Sequence, residues 1–409
     1  MPLAEILDRV TGSATGIEFR AYDGSRCGPR DAQIRVELRS PRATRHIVQA
    51  RNDLGLARAY VSGELEVDGD LHEVLRRLWR VNDGNLPWPQ RLAVLRSVGR
   101  GALRPIEPPP QEARLRGRRH SRPRSTAAAS HHYDVSNRFY EWVLGPSMVY
   151  TCAVYPDGEA TLEEAQAAKI DIVCRKLGLR PGMRLLDVGC GWGALVLHAA
   201  RHYAVHALGV TLAREQVEWG RRAIAEAGLG NRAEMRLLDY RDVSEGGFDA
   251  VASIGLTEHV GKAELSRYFR FLHSRLRPQG RLLNHCITRP SNRYPLLLRD
   301  GFIDRYVFPD GELHGPGHLV STMHDAGFEL RHAENLREHY ALTLTAWEDN
   351  LAAHWTEAVA EVGEARARVW RLYLAGARVA FEDDWLELHQ LLGVKTERGD
   401  AGMPLVADW

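Results

Sequence analysis

Lysine is scarce in this chain. Lys169, Lys176, Lys262 and Lys395 are the only lysines among 54 basic residues, and the rest are arginine, a bias that carries no function by itself. Neither sign of charge is in excess: the formal net charge is +1, so no global field draws the chain to nucleic acid. Cysteine is sparse and scattered, at Cys27, Cys152, Cys174, Cys190 and Cys286. No CxxC pair exists, which excludes the spacing of a zinc site and of a disulfide framework, and an odd count fits a reducing cytosol. No group of residues has metal-ligand spacing, so no metal is expected. Apolar runs are too short to span a bilayer, and no signal-peptide pattern opens the chain. The expected location is therefore cytoplasmic. The 409 residues leave room for two or three domains with a large core.

The stretch Leu185 to Gly193, LLDVGCGWG, reads as a strand that ends in a tight glycine turn and opens a helix. Asp187 sits at the strand end, and Gly189, Gly191 and Gly193 let the backbone pass close to a ligand. The spacing GxGxG differs from the dinucleotide fingerprint GxGxxG, and no Lys-Ser/Thr follows, so this is not a P-loop. Strand, acidic residue and GxGxG together resemble the first motif of class I S-adenosylmethionine (SAM) methyltransferases. Downstream, Val205 to Val210 reads as a second buried strand ending in Thr211 to Gln216, where Thr211 and Gln216 are polar candidates for the ribose. Leu238-Asp239-Tyr240-Arg241-Asp242 forms a polar cluster where an adenine could lie. Phe248 to Ile254 and Gly280 to Ile287 read as further strands, carrying Glu258 and His285 at or after their ends. Strands alternating with helices, with ligand residues at strand ends, predict a Rossmann-like doubly wound α/β sheet.

Residues 1–103 read as a small N-terminal α/β domain, with a strand over Ala32 to Leu38 and helices over Ala43 to Ala50, Leu71 to Arg80 and Trp88 to Leu103. No catalytic constellation is visible there. Residues 104–129 read as a linker. Pro105, Pro108, Pro109 and Pro110 oppose regular helix, and Arg114, Arg116, Arg118, Arg119, Arg122 and Arg124 follow. That run is either a solvated linker or an electrostatic contact with anionic lipid headgroups at the inner face of the membrane. Residues 130–409 read as the methyltransferase domain. Ser291 to Gly315 is a loop or lid, and helices are predicted over Leu342 to Glu357 and Ala365 to Leu392.

Several separated motifs occur in order: His131-His132-Tyr133-Asp134, Tyr150-Thr151-Cys152-Ala153, the glycine turn, Thr211 to Gln216, Asp239 to Asp242, Glu258-His259-Val260-Gly261 and Tyr306 to Gly311. In this the chain resembles the cyclopropane fatty acid synthase family over about residues 130 to 395. The resemblance implies methyl transfer from SAM to the double bond of a phospholipid acyl chain. An alkene is a poor nucleophile, and attack on the sulfonium methyl leaves a carbocation. The enzyme must therefore exclude water, stabilise the cation and remove one proton. The resemblance also implies active-site positions at Cys152, Glu258, His285 and Tyr340, with the Ile287 backbone nearby, holding a bicarbonate ion that takes the proton. SAM positions carried over are Tyr150, Thr151, Gly189, Cys190, Gly191, Thr211 to Gln216, Tyr240 and Arg241.

Glu141 and Gly145 depart from the ring-forming synthases, as do Gly255-Leu256-Thr257 and the segment Leu283 to Thr288. Here the chain looks like the actinobacterial branch that makes 10-methylene fatty acids, precursors of tuberculostearic acid. In that branch a reductase partner saturates the product. Glu141 is then either an added base near the pocket or a solvent-facing helix residue. A cyclopropane synthase, and a non-enzymatic lipid-binding protein with a methyltransferase fold, are the competing readings. The sequence is compatible with a homo-oligomer and does not define one.

Overall fold

The computed structural model describes the chain except residues 1, 13–14, 51–52, 82–100, 102–103, 134, 294–295, 298–299 and 408, with backbone alone at 80–81, 129–133 and 296–297. The predicted helix over 88–103 therefore lies outside the described residues, apart from the single residue Gly101, and so does Asp134. The chain forms two compact units, one of residues 1–114, 298–309 and 354–379, the other of residues 115–297, 310–353 and 380–409. The expected contiguous C-terminal domain is thus interrupted twice by segments that belong to the first unit.

The first unit is built on a sheet of β1 (Glu18–Ala21), β2 (Arg26–Cys27), β3 (Arg35–Leu38) and β4 (Leu65–Asp68), in the order β2-β1-β3-β4. Residues alternate on β3, with Val36 and Leu38 buried and Glu37 exposed, as a half-buried strand requires. Phe19, Val36, Leu38 and Val67 form its core with Ile6, Tyr60 and, from a distant segment, Ala375. The Pro41–Gln49 helix starts where Ser40 caps Arg42 N and Pro41 stands at the first turn. Arg368 donates to Glu66 at 2.6 Å and so ties residues 354–379 to β4.

The second unit carries a seven-stranded sheet of β5 (Arg184–Val188), β6 (His206–Thr211), β7 (Ala233–Leu237), β8 (Phe248–Ile254), β9 (Leu276–Thr288), β12 (Glu329–Asn335) and β13 (Glu387–Val394). Their order is β12-β13-β9-β8-β5-β6-β7. Strands β7, β6, β5, β8 and β9 are parallel, and β13 is antiparallel to both its neighbours. The central strands read as apolar runs because both faces are covered: Leu185, Leu186, Val188, Ala250, Val251 and Ala252 are fully buried. Two short strands, β10 (Leu296–Leu297) and β11 (Glu312–Leu313), pair beside it within the predicted lid.

Two expectations are corrected. The helix predicted over Ala365 to Leu392 ends at Glu382, and Glu387–Val394 is strand β13. A short, largely buried run such as Leu388 to Val394 has no period that separates buried helix from buried strand. Tertiary packing decides: at Gly393 an added Cβ would lie 2.9 Å from Met323 Cε. The Arg-rich run is likewise not without helix, since Arg122–Tyr133 is helical. Its single proline, Pro123, falls in the first turn, where no backbone donor is lost.

Candidate active site

The glycine turn follows β5, as the sequence predicts. Gly189 N and Cys190 N both donate to Val210 O, at 2.9 and 3.1 Å, and bind the turn to β6. Gly191 has φ +53°, and an added Cβ there would meet no heavy atom within 4 Å. Gly193, at φ +89°, has no such space, because its Cβ would run into Met235 Sδ. The turn is therefore packed at its far end and open at Gly191.

Asp187, on β5 just before the turn, is 3% exposed. Its Oδ1 has no hydrogen-bond partner, and burial pushes its pKa up to about 7. The opposing influence is the ammonium of Lys169, itself 3% exposed, on the Leu162–Leu177 helix. Lys169 Nζ donates to Thr151 Oγ1 at 2.9 Å. Burial holds Lys169 down to about 8, against the attraction of Cys152 and Asp187. The same ammonium also acts on His285. Lys169 thus links the turn to the predicted catalytic residues, and sequence reasoning missed it. The signal was present: Leu162, Ala165, Gln166, Lys169, Ile170, Val173 and Lys176 follow one helical stripe and are all buried.

The other predicted cofactor residues fall around the sheet's carboxyl edge. Thr211 Oγ1 donates to Gln216 Oε1 at 2.8 Å; both are buried, Thr211 at the end of β6 and Gln216 on the Arg214–Glu226 helix that follows. Asp239 accepts from Arg241 Nε at 2.8 Å; burial opposes its ionisation, but the guanidinium outweighs this and holds the carboxyl below the usual range. Tyr240 is half-buried, edge-on to Tyr268 and Phe271. Tyr150 packs between Tyr140 and Trp347, with ring centroids at 5.9 and 5.4 Å. Tyr140 in turn packs on Trp192 of the turn, at 4.7 Å. Cys190 is buried in the turn against β6: an added Cβ on Gly209 would lie 2.8 Å from its Sγ. These features fit SAM: space at Gly191, an unpartnered buried carboxylate oxygen, and polar groups at three successive strand ends.

Of the predicted catalytic residues, Glu258 and His285 are placed by β8 and β9, and Cys152 and Tyr340 by segments outside these strands. Glu258 follows β8 in a short 3-10 turn, Thr257–His259. Its Oε1 accepts from Ile287 N at 2.7 Å; its Oε2 is buried without a partner. Burial raises its pKa to about 7, although the Ile287 amide pulls the other way. His285 lies on β9, 1% exposed, with Nδ1 at 3.2 Å from Gln390 Nε2 and Nε2 unpartnered. Burial and the charges of Lys169 and Lys176 hold it well below the usual imidazole range. Cys152 is fully buried; burial pushes its thiol far above the usual range, and Sγ donates to Ala153 O. Such a thiol is no nucleophile. Tyr340 is buried against Phe381 at 4.5 Å.

Glu141 does not join them. It is exposed on the Asn137–Leu144 helix, whose buried residues are Phe139, Tyr140, Val143 and Leu144. The expectation of a carboxylate near the pocket is corrected by this helix phase. The side chains of His131 to Tyr133 lie outside the described residues. The Arg-rich run is partly engaged within the protein: Arg119 and Arg124 pair with Asp310, Arg122 with Asp242 and His120 with Glu312. Among the described residues no cluster could hold a metal ion, and no helix is long and apolar enough to cross a membrane.

A parallel sheet with one antiparallel strand next to its edge, and a glycine turn after the interior strand β5, define a class I SAM-dependent methyltransferase. The model of the mycolic acid cyclopropane synthetase family matches residues 120–391. A probable fatty acid methyltransferase, Rv3720 of Mycobacterium tuberculosis, is 52% identical over all of this chain and 98% of its own length. The cyclopropane-fatty-acyl-phospholipid synthase of Escherichia coli K12 is 34% identical over 66% of this chain and 69% of its own. The crystal structure of mycolic acid cyclopropane synthase CmaA1 with SAH and CTAB superposes with a TM-score of 0.62 at 32% identity, over 66% of this chain and 98% of that one. The chain belongs to the mycolic acid cyclopropane synthetase family.

Proposed function

We propose that this methyltransferase acts on the double bond of an oleoyl-type phospholipid chain and releases a 10-methylene acyl product. The observation that carries the reading is the pair of buried, unpartnered polar atoms, Glu258 Oε2 in the turn after β8 and His285 Nε2 on β9. Unpaired polar atoms cost stability and persist where a ligand completes them. When bound, SAM supplies an electrophilic methyl group. The chain's residues do the rest. The aromatic wall of Tyr150, Trp347 and Tyr340 excludes water and faces a developing cation with ring electrons. Glu258 and His285 hold the group that takes the proton, and their unpartnered atoms suit a small oxyanion such as bicarbonate. A hydride shift before proton loss gives the methylene rather than the ring; the segments at Gly255–Thr257 and Leu283–Thr288 support this choice. Exposed Arg114, Arg116 and Arg118 are left to meet anionic headgroups at a membrane surface. A reductase partner would then saturate the methylene.

The test is the product from an oleoyl phospholipid and methyl-labelled SAM. NMR signals of an exocyclic methylene are expected. Cyclopropane signals would move the enzyme to the ring-forming alternative, and no labelled lipid would remove the reading.

A further inference from the structure

His285 is gripped from behind by residues that the reaction chemistry does not use. Gln390 on β13 stands in register with His285 on β9. Its amide is held at both ends: Oε1 accepts from Lys176 Nζ at 2.7 Å, and Nε2 lies 3.2 Å from His285 Nδ1. Lys176 and Gln390 are both fully buried. Lys176 also donates to Glu334 on β12, whose carboxylate supports the charged ammonium.

An ammonium has donors only, so it must face the amide oxygen. The amide NH2 is thereby turned toward the ring, and it too can only donate. A ring nitrogen that receives an N–H carries no proton of its own. We propose that Glu334, Lys176 and Gln390 act as a positioning relay that fixes His285 as its Nε2-protonated tautomer, so that it offers a donor to the reacting site and not a base. The opposite tautomer would set Nδ1–H against the amide NH2. Flipping the amide would only move the clash to Lys176. His285 Nε2, the nitrogen left without a partner, is then an N–H aimed where an anion or a partial negative charge must sit. This rests on the assignment of His285 to the site under the reading above, and it assigns proton removal to something other than the imidazole.

The experiment is NMR on the intact enzyme labelled with 15N in its histidine rings, since ring nitrogens with and without a proton are resolved. The His285 signals are identified by their loss in His285→Asn. A bare Nδ1 and a protonated Nε2 near pH 7.5 are expected. A proton on Nδ1, or on both nitrogens, in the parent enzyme would overturn the relay. The second arm is Gln390→Glu, which keeps the shape but accepts from both neighbours. The proton should move to Nδ1, and turnover should fall about 10²-fold or more while the Kd for SAM holds. An unchanged tautomer or unchanged turnover in that folded variant would also overturn it. No lipid is needed for the tautomer measurement, so a different product would sink the proposed function and leave this result standing.

Discussion

The backbone N–H of Ile287 donates to Oε1 of Glu258 at 2.7 Å and leaves Oε2 buried with no partner. One oxygen anchors the carboxyl to β9 while the other is free for chemistry. Glu258→Gln keeps the anchor and removes the charge. Turnover should fall by about 10²–10⁴-fold with SAM binding retained. Stability should move the other way. The folded carboxyl titrates near 7 and the unfolded one near 4.5, so ionisation favours unfolding. The parent therefore loses stability as pH rises between these values, and the variant lacks that loss. The Tm of Glu258→Gln should match the parent near pH 4 and exceed it at pH 8. Asp187, raised to about 7 in the same way, contributes equally to both proteins. Near-parental turnover would remove Glu258 from the mechanism.

Two glycines of one turn should fail differently. At Gly191 a methyl group enters open space, so Gly191→Ala should fold, at the roughly 1 kcal/mol strain of a positive φ, and lose SAM affinity by tenfold or more. At Gly193 the methyl group strikes Met235, so Gly193→Ala should lose thermal stability first. Calorimetric titration with SAM, beside melting curves, separates the two. Equal SAM affinity in a folded Gly191→Ala protein would move the cofactor away from this turn.

Lys169→Met keeps the volume of the stem and removes the ammonium that acts on Asp187. Asp187 then has no opposite charge beside it, and the desolvation of the Lys169 ammonium no longer costs stability, so the difference from the parent depends on pH. Its sign with pH is fixed. Asp187 already titrates near 7, and without Lys169 its pKa climbs further, so the gap from the parent should widen between pH 6 and pH 8. A gap that narrows would mean that the two groups do not communicate.

The glycine turn, Thr211, Glu258 and His285 were legible because each lies at the end of a strand buried on both faces, and such strands announce themselves as apolar runs. Strand β13 was not legible, because Leu388 to Val394 fits a buried helix as well as a strand, and only pairing with β9 decides. Lys169 and Lys176 could have been read from their places on an apolar helical stripe. Gln390 could not, since its meaning comes from β9 and from a helix more than two hundred residues earlier. The run after residue 114 looked like a free basic run because Asp310 and Asp242, which answer its arginines, and Glu312, which answers His120, are far away in sequence.

Helix phase decides the case of Glu141. On the Asn137–Leu144 helix, Phe139, Tyr140, Val143 and Leu144 point inward, with Tyr140 on Tyr150 and Trp192. Glu141 falls on the opposite, exposed side. A base for a carbocation has to work where water is excluded, because water would trap the cation first. An exposed carboxylate cannot meet that condition. Glu141→Gln should therefore leave stability within about 0.5 kcal/mol and turnover within about twofold, with the same product. The measurement is the rate of label transfer from SAM to an oleoyl phospholipid, with the product resolved by NMR. A fall of a hundredfold or a switch between methylene and ring would show that the helix turns Glu141 inward when lipid is bound.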